Sequence, residues 1–140
     1  SAASLADFLF SGVLVRFPAL KIFYAEAQVG WIPYVVERCD DVWETHRGWA
    51  RKGVAMEEPP SAYYRRQVFS CFFKDDVGVE LIDKIGVENA LFECDYPHQD
   101  GTWPHTRDVA EKALAGLSDD AVHKILRGNA IRLFDLDLQP

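Results

Sequence analysis

The chain has no apolar stretch approaching the roughly 20 residues of a membrane-spanning helix, and no basic segment followed by an apolar core at its N-terminus, so a soluble, cytoplasmic protein with no membrane partner is expected. Cysteine is scarce. Cys39, Cys71 and Cys94 form no CxxC pattern and any pairing leaves one over, which argues against a disulfide framework and makes them small core residues. Positive charge never clusters beyond the pair Arg65-Arg66, and the net charge of −7 opposes a polyanionic partner, so nucleic acid is not expected to bind. No repeat of fixed period and no low-complexity segment interrupts the chain.

What is present is apolar and periodic. With 140 residues, 49% of them hydrophobic, the chain has enough material for one core, and residues 1–140 read as a single domain. Leu5, Phe8, Leu9 and Val13 fall at helical spacing up to Pro18, and residues 21–26 then read as a strand. Trp31, Val35, Cys39 and Val42 line one stripe of a long amphipathic helix that runs towards Trp49 and is expected to face a sheet. Residues 52–61, with Gly53, Pro59 and Pro60, read as a loop, and residues 68–73 as a second strand. A helix over 76–85 stops at Gly86, and a third strand spans 90–95. Helices over 104–117, 119–127 and 129–134 follow, with Ser118 as an N-cap.

Strands separated by helices imply crossover connections and a parallel sheet, so the fold class is α/β, as a barrel or an open sheet. Such sheets carry their chemistry at the carboxyl ends of the strands, where Glu26 and Asp95 fall. Strand alternation puts Ile22, Tyr24 and Glu26 on one face and Leu91, Glu93 and Asp95 likewise on one face, so the two carboxylates can converge. Asp95 opens the segment Asp95-Tyr96-Pro97-His98, punctuated by Pro97 and Gly101. An acid there can bind metal or move protons, or serve as an ordinary loop acid or N-cap.

The run Arg16-Phe17-Pro18-Ala19-Leu20-Lys21, the stretch from Ala25 to Tyr34 followed by Glu37-Arg38, Asp95-Tyr96-Pro97-His98 with Thr102-Trp103-Pro104-His105, and Gly128-Asn129-Ala130-Ile131-Arg132-Leu133-Phe134 resemble the metal-dependent amidohydrolase-related family that includes aminocarboxymuconate-semialdehyde decarboxylase. The resemblance implies a distorted (β/α)₈ barrel, with this chain as its C-terminal portion, about three parallel strands with helices. It makes Asp95 a metal ligand or a neighbour of a divalent metal, zinc or manganese, handling the proton of an activated water. Glu26 stands where decarboxylase-like members carry a histidine, which suggests a branch using glutamate as ligand or general base. His98, Trp31, Trp103 and His105 are then candidates for substrate binding, while His46 and His123 lie in helices outside the motifs.

The ligands that members contribute after the first and fifth strands have no counterpart here, and Glu93 stands where members tend to carry a small residue. Asp95 alone falls short of the roughly three protein ligands of a catalytic metal site, so an isolated chain is expected to be inactive, with or without a bound metal. Helices on one sheet face only would leave Ile22, Tyr24 and Leu91 bare, which implies association as a homo-oligomer or with a separate N-terminal half. The implied function is part of a metal-dependent hydrolase acting on a small organic substrate through a metal-activated water. The alternatives are a non-enzymatic barrel remnant serving assembly or small-ligand binding, and a non-oxidative decarboxylase.

Overall fold

The computed structural model describes residues 1–46 and 56–139. The chain divides into two compact units, Ser1–Ile22 with Trp31–Val68, and Phe23–Gly30 with Phe69–Pro140. No helix among the described residues is long and apolar enough to cross a membrane.

The first unit is helical. In α1 (Ala2–Phe10), Leu5 and Leu9 sit one turn apart and are buried. Gly12, at φ 76°, makes the left-handed turn that separates α1 from the single turn α2 (Val13–Arg16), whose Leu14 is also buried. The long helix α3 (Ile32–His46) buries Ile32 and Cys39, with Val36 and Trp43 half-buried on the same stripe. That stripe is rotated from the expected one, since Val42 is exposed. Its neighbours within the unit are α1 and α4 rather than a sheet. The expected extension towards Trp49 lies outside the described residues.

Helix α4 (Pro60–Gln67) begins inside the expected loop of residues 52–61 and runs on to the second strand, with Pro60 in the first turn, where a missing N–H costs nothing. Asp40 of α3 accepts from the Ser61 N–H at 2.8 Å, and buried Gln67 donates to the carbonyls of Phe17 (3.0 Å) and Leu20 (3.1 Å). Burial drives the Tyr64 phenol above its usual range.

The second unit is built on a sheet of three parallel strands in the order β1-β2-β3: β1 (Ile22–Tyr24), β2 (Val68–Phe72) and β3 (Ala90–Phe92). Ser70, Cys71 and Phe72 pair with Ala90, Leu91 and Phe92. Every residue of β2 is buried, as a central parallel strand requires. Phe69, Cys71 and Leu91 form one cluster with Phe23, Ala130 and Leu133, while Phe72 and Phe92 meet edge to face at 5.7 Å. Leu91 is therefore covered by the C-terminal helix, and the expected bare face is absent: Ile22 and Tyr24 are half-buried.

Short helices complete the unit: α5 (Asp76–Glu80), α6 (Ile82–Ile85), a 3₁₀ turn at Val87–Asn89 and α7 (Thr106–Ala113). The helix expected over 76–85 breaks at Leu81, whose ψ of 13° leaves the helical range. Ser118 caps α8 (Asp119–His123), accepting from the Ala121 N–H at 3.3 Å. A π-helical turn, Lys124–Gly128, then joins α8 to α9 (Asn129–Phe134), so the last two expected helices are one continuous rod.

Asn129 explains why this rod is anchored. Its side chain is 1% exposed and donates to the carbonyls of Val87 (2.6 Å) and Ala90 (2.8 Å), satisfying acceptors at the entry to β3. Arg132 lies further out, pairing with the Glu88 carboxylate (2.7 Å) and carbonyl (2.8 Å). Replacing Asn129 by Ala strands the two carbonyls, so Asn129→Ala is expected to lower the unfolding free energy by about 2–3 kcal/mol. Arg132→Ala, at a half-exposed pair, should cost about 1 kcal/mol or less. Urea titrations of both variants check this; equal costs would mean that Asn129 does not carry the docking of α9.

Candidate functional site

Two turns at the carboxyl ends of β1 and β3 build the site. Both strands stop earlier than the sequence pattern suggests, at Tyr24 and Phe92. Beyond them Glu26, Gln28 and Asp95 adopt the left-handed conformation, with φ of 54°, 57° and 56°. Each such residue costs on the order of 1 kcal/mol and persists only where its surroundings dictate it. Glu26 and Asp95 therefore converge through turns, and not through the strand alternation expected of them.

The first turn is held from several directions. The Ser70 hydroxyl lies 3.2 Å from the Tyr24 carbonyl and 3.1 Å from that of Gln28, and the Phe73 N–H donates to Gln28 Oε1 at 3.4 Å. Asp75 Oδ2 accepts from the N–H groups of Val29 (2.7 Å) and Gly30 (2.6 Å), while its Oδ1 caps α5 through the Gly78 N–H (2.8 Å). The approach requires glycine on both sides: a Cβ on Gly78 would stand 2.5 Å from Val29 Cγ2, and one on Gly30 2.8 Å from Asp75 Oδ1. Glu26 itself donates its N–H to Glu93 Oε2 at 3.3 Å. That oxygen also accepts from Cys71 Sγ at 2.8 Å, and burial together with this bond pushes the Cys71 thiol up to about 12.

The second turn is a closed loop. Thr102 N–H donates to the Cys94 carbonyl at 2.9 Å, His98 N–H to that of Asp95 at 2.9 Å, and His105 N–H to that of Thr102 at 2.8 Å. Gly101 permits the closure, since a Cβ there would meet the Cys94 carbonyl at 2.7 Å. The Thr106 hydroxyl, 3.1 Å from Cys94 Sγ, draws the Cys94 thiol below its usual range. Tyr96 and Trp103 project from this loop as an edge-to-face pair 5.3 Å apart, 66% and 65% exposed.

Between the turns, ligand atoms of Glu26, Asp95 and His98 all lie within 4.8 Å of one another. The Asp95 side chain is only 8% exposed, that of His98 60%, and His98 Nδ1 sits 2.8 Å from Asp95 Oδ1. This hydrogen bond and the charge of Asp95, with Glu26 and Asp100 adding, hold the His98 imidazole above its usual range. Two carboxylates and an imidazole gathered this closely suit a divalent cation with oxygen and nitrogen preferences, such as manganese or zinc. The spread is close to the roughly 4.4 Å spanned by opposite ligands of one ion with bonds of about 2.2 Å. Asp95 and His98 also form a pair across which a proton can move.

Of the other residues singled out in the sequence, Trp103 lies on the Asp95 loop. His105 is exposed at the start of α7, 3.9 Å from Asp108. Trp31 is half-buried and belongs to the first unit. Ser70 and Asp75 escaped the sequence reading, and Tyr96 enters it only as part of the Asp95-Tyr96-Pro97-His98 motif. Only Asp75 left a signal there, as an acid directly preceding a helix. A cleft of about 590 Å³ between α5 and α7, lined by Phe73, Lys74, Val79, Glu80, Val109 and Lys112 among others, holds none of the three clustered donors.

The chain matches the amidohydrolase family model (Amidohydro_2) over residues 2–136. Among solved structures it is similar to an amidohydrolase from Mycobacterium avium subsp. paratuberculosis K-10, with 27% identity, a TM-score of 0.79, and coverage of 94% of this chain and 32% of that one. It is also similar to a dihydroxybenzoic acid decarboxylase from Polaromonas sp. JS666 that holds manganese and the inhibitor 2-nitroresorcinol (26% identity, TM-score 0.73, 99% of this chain and 40% of that one). A 5-carboxyvanillate decarboxylase from Sphingomonas paucimobilis shares the fold at 22% identity and a TM-score of 0.78, over 96% of this chain and 39% of that one. No protein of curated function matches significantly. The chain thus spans about a third to two fifths of the structures it resembles. It belongs to the amidohydrolase family, and its three parallel strands with their helices correspond to part of that family's TIM barrel.

Proposed function

We propose that this chain supplies the Glu26, Asp95 and His98 side of a divalent-metal site in a hydrolase of the amidohydrolase family, one that activates water against a small organic substrate. The observation that carries the reading is the approach of the three donors to within 4.8 Å at two strand ends. A divalent cation there supplies Lewis acidity and brings the pKa of water at the site towards neutrality. Asp95, nearly buried and oriented by His98 Nδ1, would hold the cation through its carboxylate. Glu26 is exposed, so that one of its carboxylate oxygens could serve as a donor to the cation while the other accepts a proton at the substrate side. Tyr96 and Trp103, both exposed on the loop that carries Asp95, offer aromatic surface that suits an aromatic or otherwise planar substrate. The remaining wall of the site is expected from outside these residues, whether from the N-terminal part of the barrel or from a second copy of the chain.

Non-oxidative decarboxylation is the second reading. It is favoured by the dihydroxybenzoic acid decarboxylase that holds manganese and is 26% identical to this chain.

Titration with Mn²⁺, followed by loss of the free-ion electron paramagnetic resonance signal, is expected to show about one ion per chain. Asp95→Asn should weaken binding about tenfold or more, equivalent to roughly 1.4 kcal/mol. Absence of binding by the wild-type chain at millimolar Mn²⁺ and Zn²⁺ would sink the metal-site reading. Release of carbon dioxide rather than hydrolysis product, in assays of the metal-loaded assembly with hydroxybenzoates, would select the second reading over the first.

Protons should compete with the cation. The His98 pKa is raised in the folded chain, so its protonated form persists above the usual value of about 6.5, and the pair with Asp95 stabilises the fold most below that value and loses its contribution as pH rises through the folded pKa. Cation affinity should accordingly rise between pH 6 and pH 8. Imidazole NMR titration checks the cause: the His98 midpoint is expected above 6.5 and should fall in Asp95→Asn. An unchanged midpoint would show that Asp95 does not set it.

A further inference from the structure

We infer that Glu93 is a positioning residue for Glu26, setting the backbone turn from which the Glu26 carboxylate reaches Asp95 and His98. The inference rests on the proposed metal site and names a residue outside its donor set.

Glu26 stands at φ 54°, a conformation that an unbranched acidic side chain gains nothing from adopting. The residues behind it are pinned by Ser70, Phe73 and Asp75, but those contacts reach the carbonyls of Tyr24 and Gln28, the Gln28 side chain and the N–H groups of Val29 and Gly30. At Glu26 itself the hold is the N–H, which donates to Glu93 Oε2 at 3.3 Å, with the Cys71 sulfur also beside it. The same oxygen is fixed from β2 by Cys71 Sγ at 2.8 Å, so the carboxylate is a strut between the central strand and the turn.

The strut is costly where it stands. Glu93 Oε1 is buried and has no hydrogen-bond partner among the described residues. A buried acceptor without a donor destabilises a fold, so a residue serving only stability would not carry one. Glu93 follows β3 directly and its own N–H donates to the Phe72 carbonyl at 3.0 Å, which fixes the backbone without any need of the side chain. A local rule is broken next to the clustered donors, where such a cost is expected to serve function.

The two roles predict opposite signs. In Glu93→Ala the buried unpaired oxygen is gone, so the melting temperature should hold or rise, while Mn²⁺ affinity should fall about tenfold and hydrogen exchange at the Glu26 amide should accelerate by a similar factor. Glu93→Gln keeps an oxygen acceptor of the same reach without the charge, and is expected to restore affinity to within about threefold and to restore Glu26 amide protection. Unchanged affinity and unchanged Glu26 exchange in Glu93→Ala overturn the proposal. So does a Gln variant as weak as the Ala variant, because the negative charge and not the hydrogen bond would then be responsible. Should the wild-type chain bind no Mn²⁺, the metal-site reading fails on its own, and the Glu26 amide, measured without metal, still decides whether Glu93 holds the turn.

Discussion

Asp75 accepts from three backbone N–H groups, those of Val29 and Gly30 on one oxygen and that of Gly78 on the other, and the geometry of the Glu26 turn depends on that convergence. A carboxylate is suited to the task because bonds to an ionised acceptor are about twice as strong as neutral ones, and because one group serves two segments far apart in sequence. The glycines at 30 and 78 exist to let the backbones come near enough, as the forbidden Cβ positions show. With residues 28–30 fixed to the start of α5 and Tyr24 fixed to β2 through Ser70, the intervening residues have little freedom. The left-handed conformations at Glu26 and Gln28 are how the chain spans the gap.

Asp95 reaches the same place by a different route. Its loop is closed by backbone hydrogen bonds and by Thr102, which is buried and binds both Cys94 and Thr106. The outcome is a carboxylate that has lost most of its water and is compensated by one exposed imidazole. Bringing Glu26 near adds like charge, which raises the proton affinity of His98 and also the attraction for a divalent cation. A proton on His98 and a cation at the cluster are thus alternative answers to the same electrostatic demand.

Much of the fold is legible in the sequence because hydrophobic runs and helix punctuation determine it. The segments around 22–24, 68–72 and 90–92 are largely apolar, and the strands lie there. Their ends are less legible, since a chain leaving extended geometry through a left-handed glutamate or aspartate carries no glycine to announce the turn. Helix α4 is obscured for another reason: Pro59, Pro60 and Ser61 look like loop, although proline in a first turn is compatible with a helix. On α3, Trp31, Val35 and Val42 compete with Ile32, Val36 and Trp43 for the buried stripe, and periodicity alone cannot separate stripes one position apart. Of the site, Asp95, His98 and Glu26 are visible as residues at strand ends. Ser70 and Asp75 are not, because what they bind is backbone brought close only by the fold.

Glu93 shows how a departure from family pattern acquires meaning once contacts are known. In sequence it is an acid where the family resemblance leads one to expect a small residue, and burial alone would make it a liability. In the structure one of its oxygens ties Cys71 of the central strand to the backbone of Glu26, and the other is left without a donor. The raised pKa of Cys71 keeps the thiol protonated and therefore able to donate at any physiological pH, so the strut does not loosen from that side. A small residue at 93 would remove the carboxylate that links the central strand to the turn. The glutamate at 26 and the glutamate at 93 are in this respect one feature: the first supplies a donor atom to the cluster, and the second fixes the backbone from which that atom is presented.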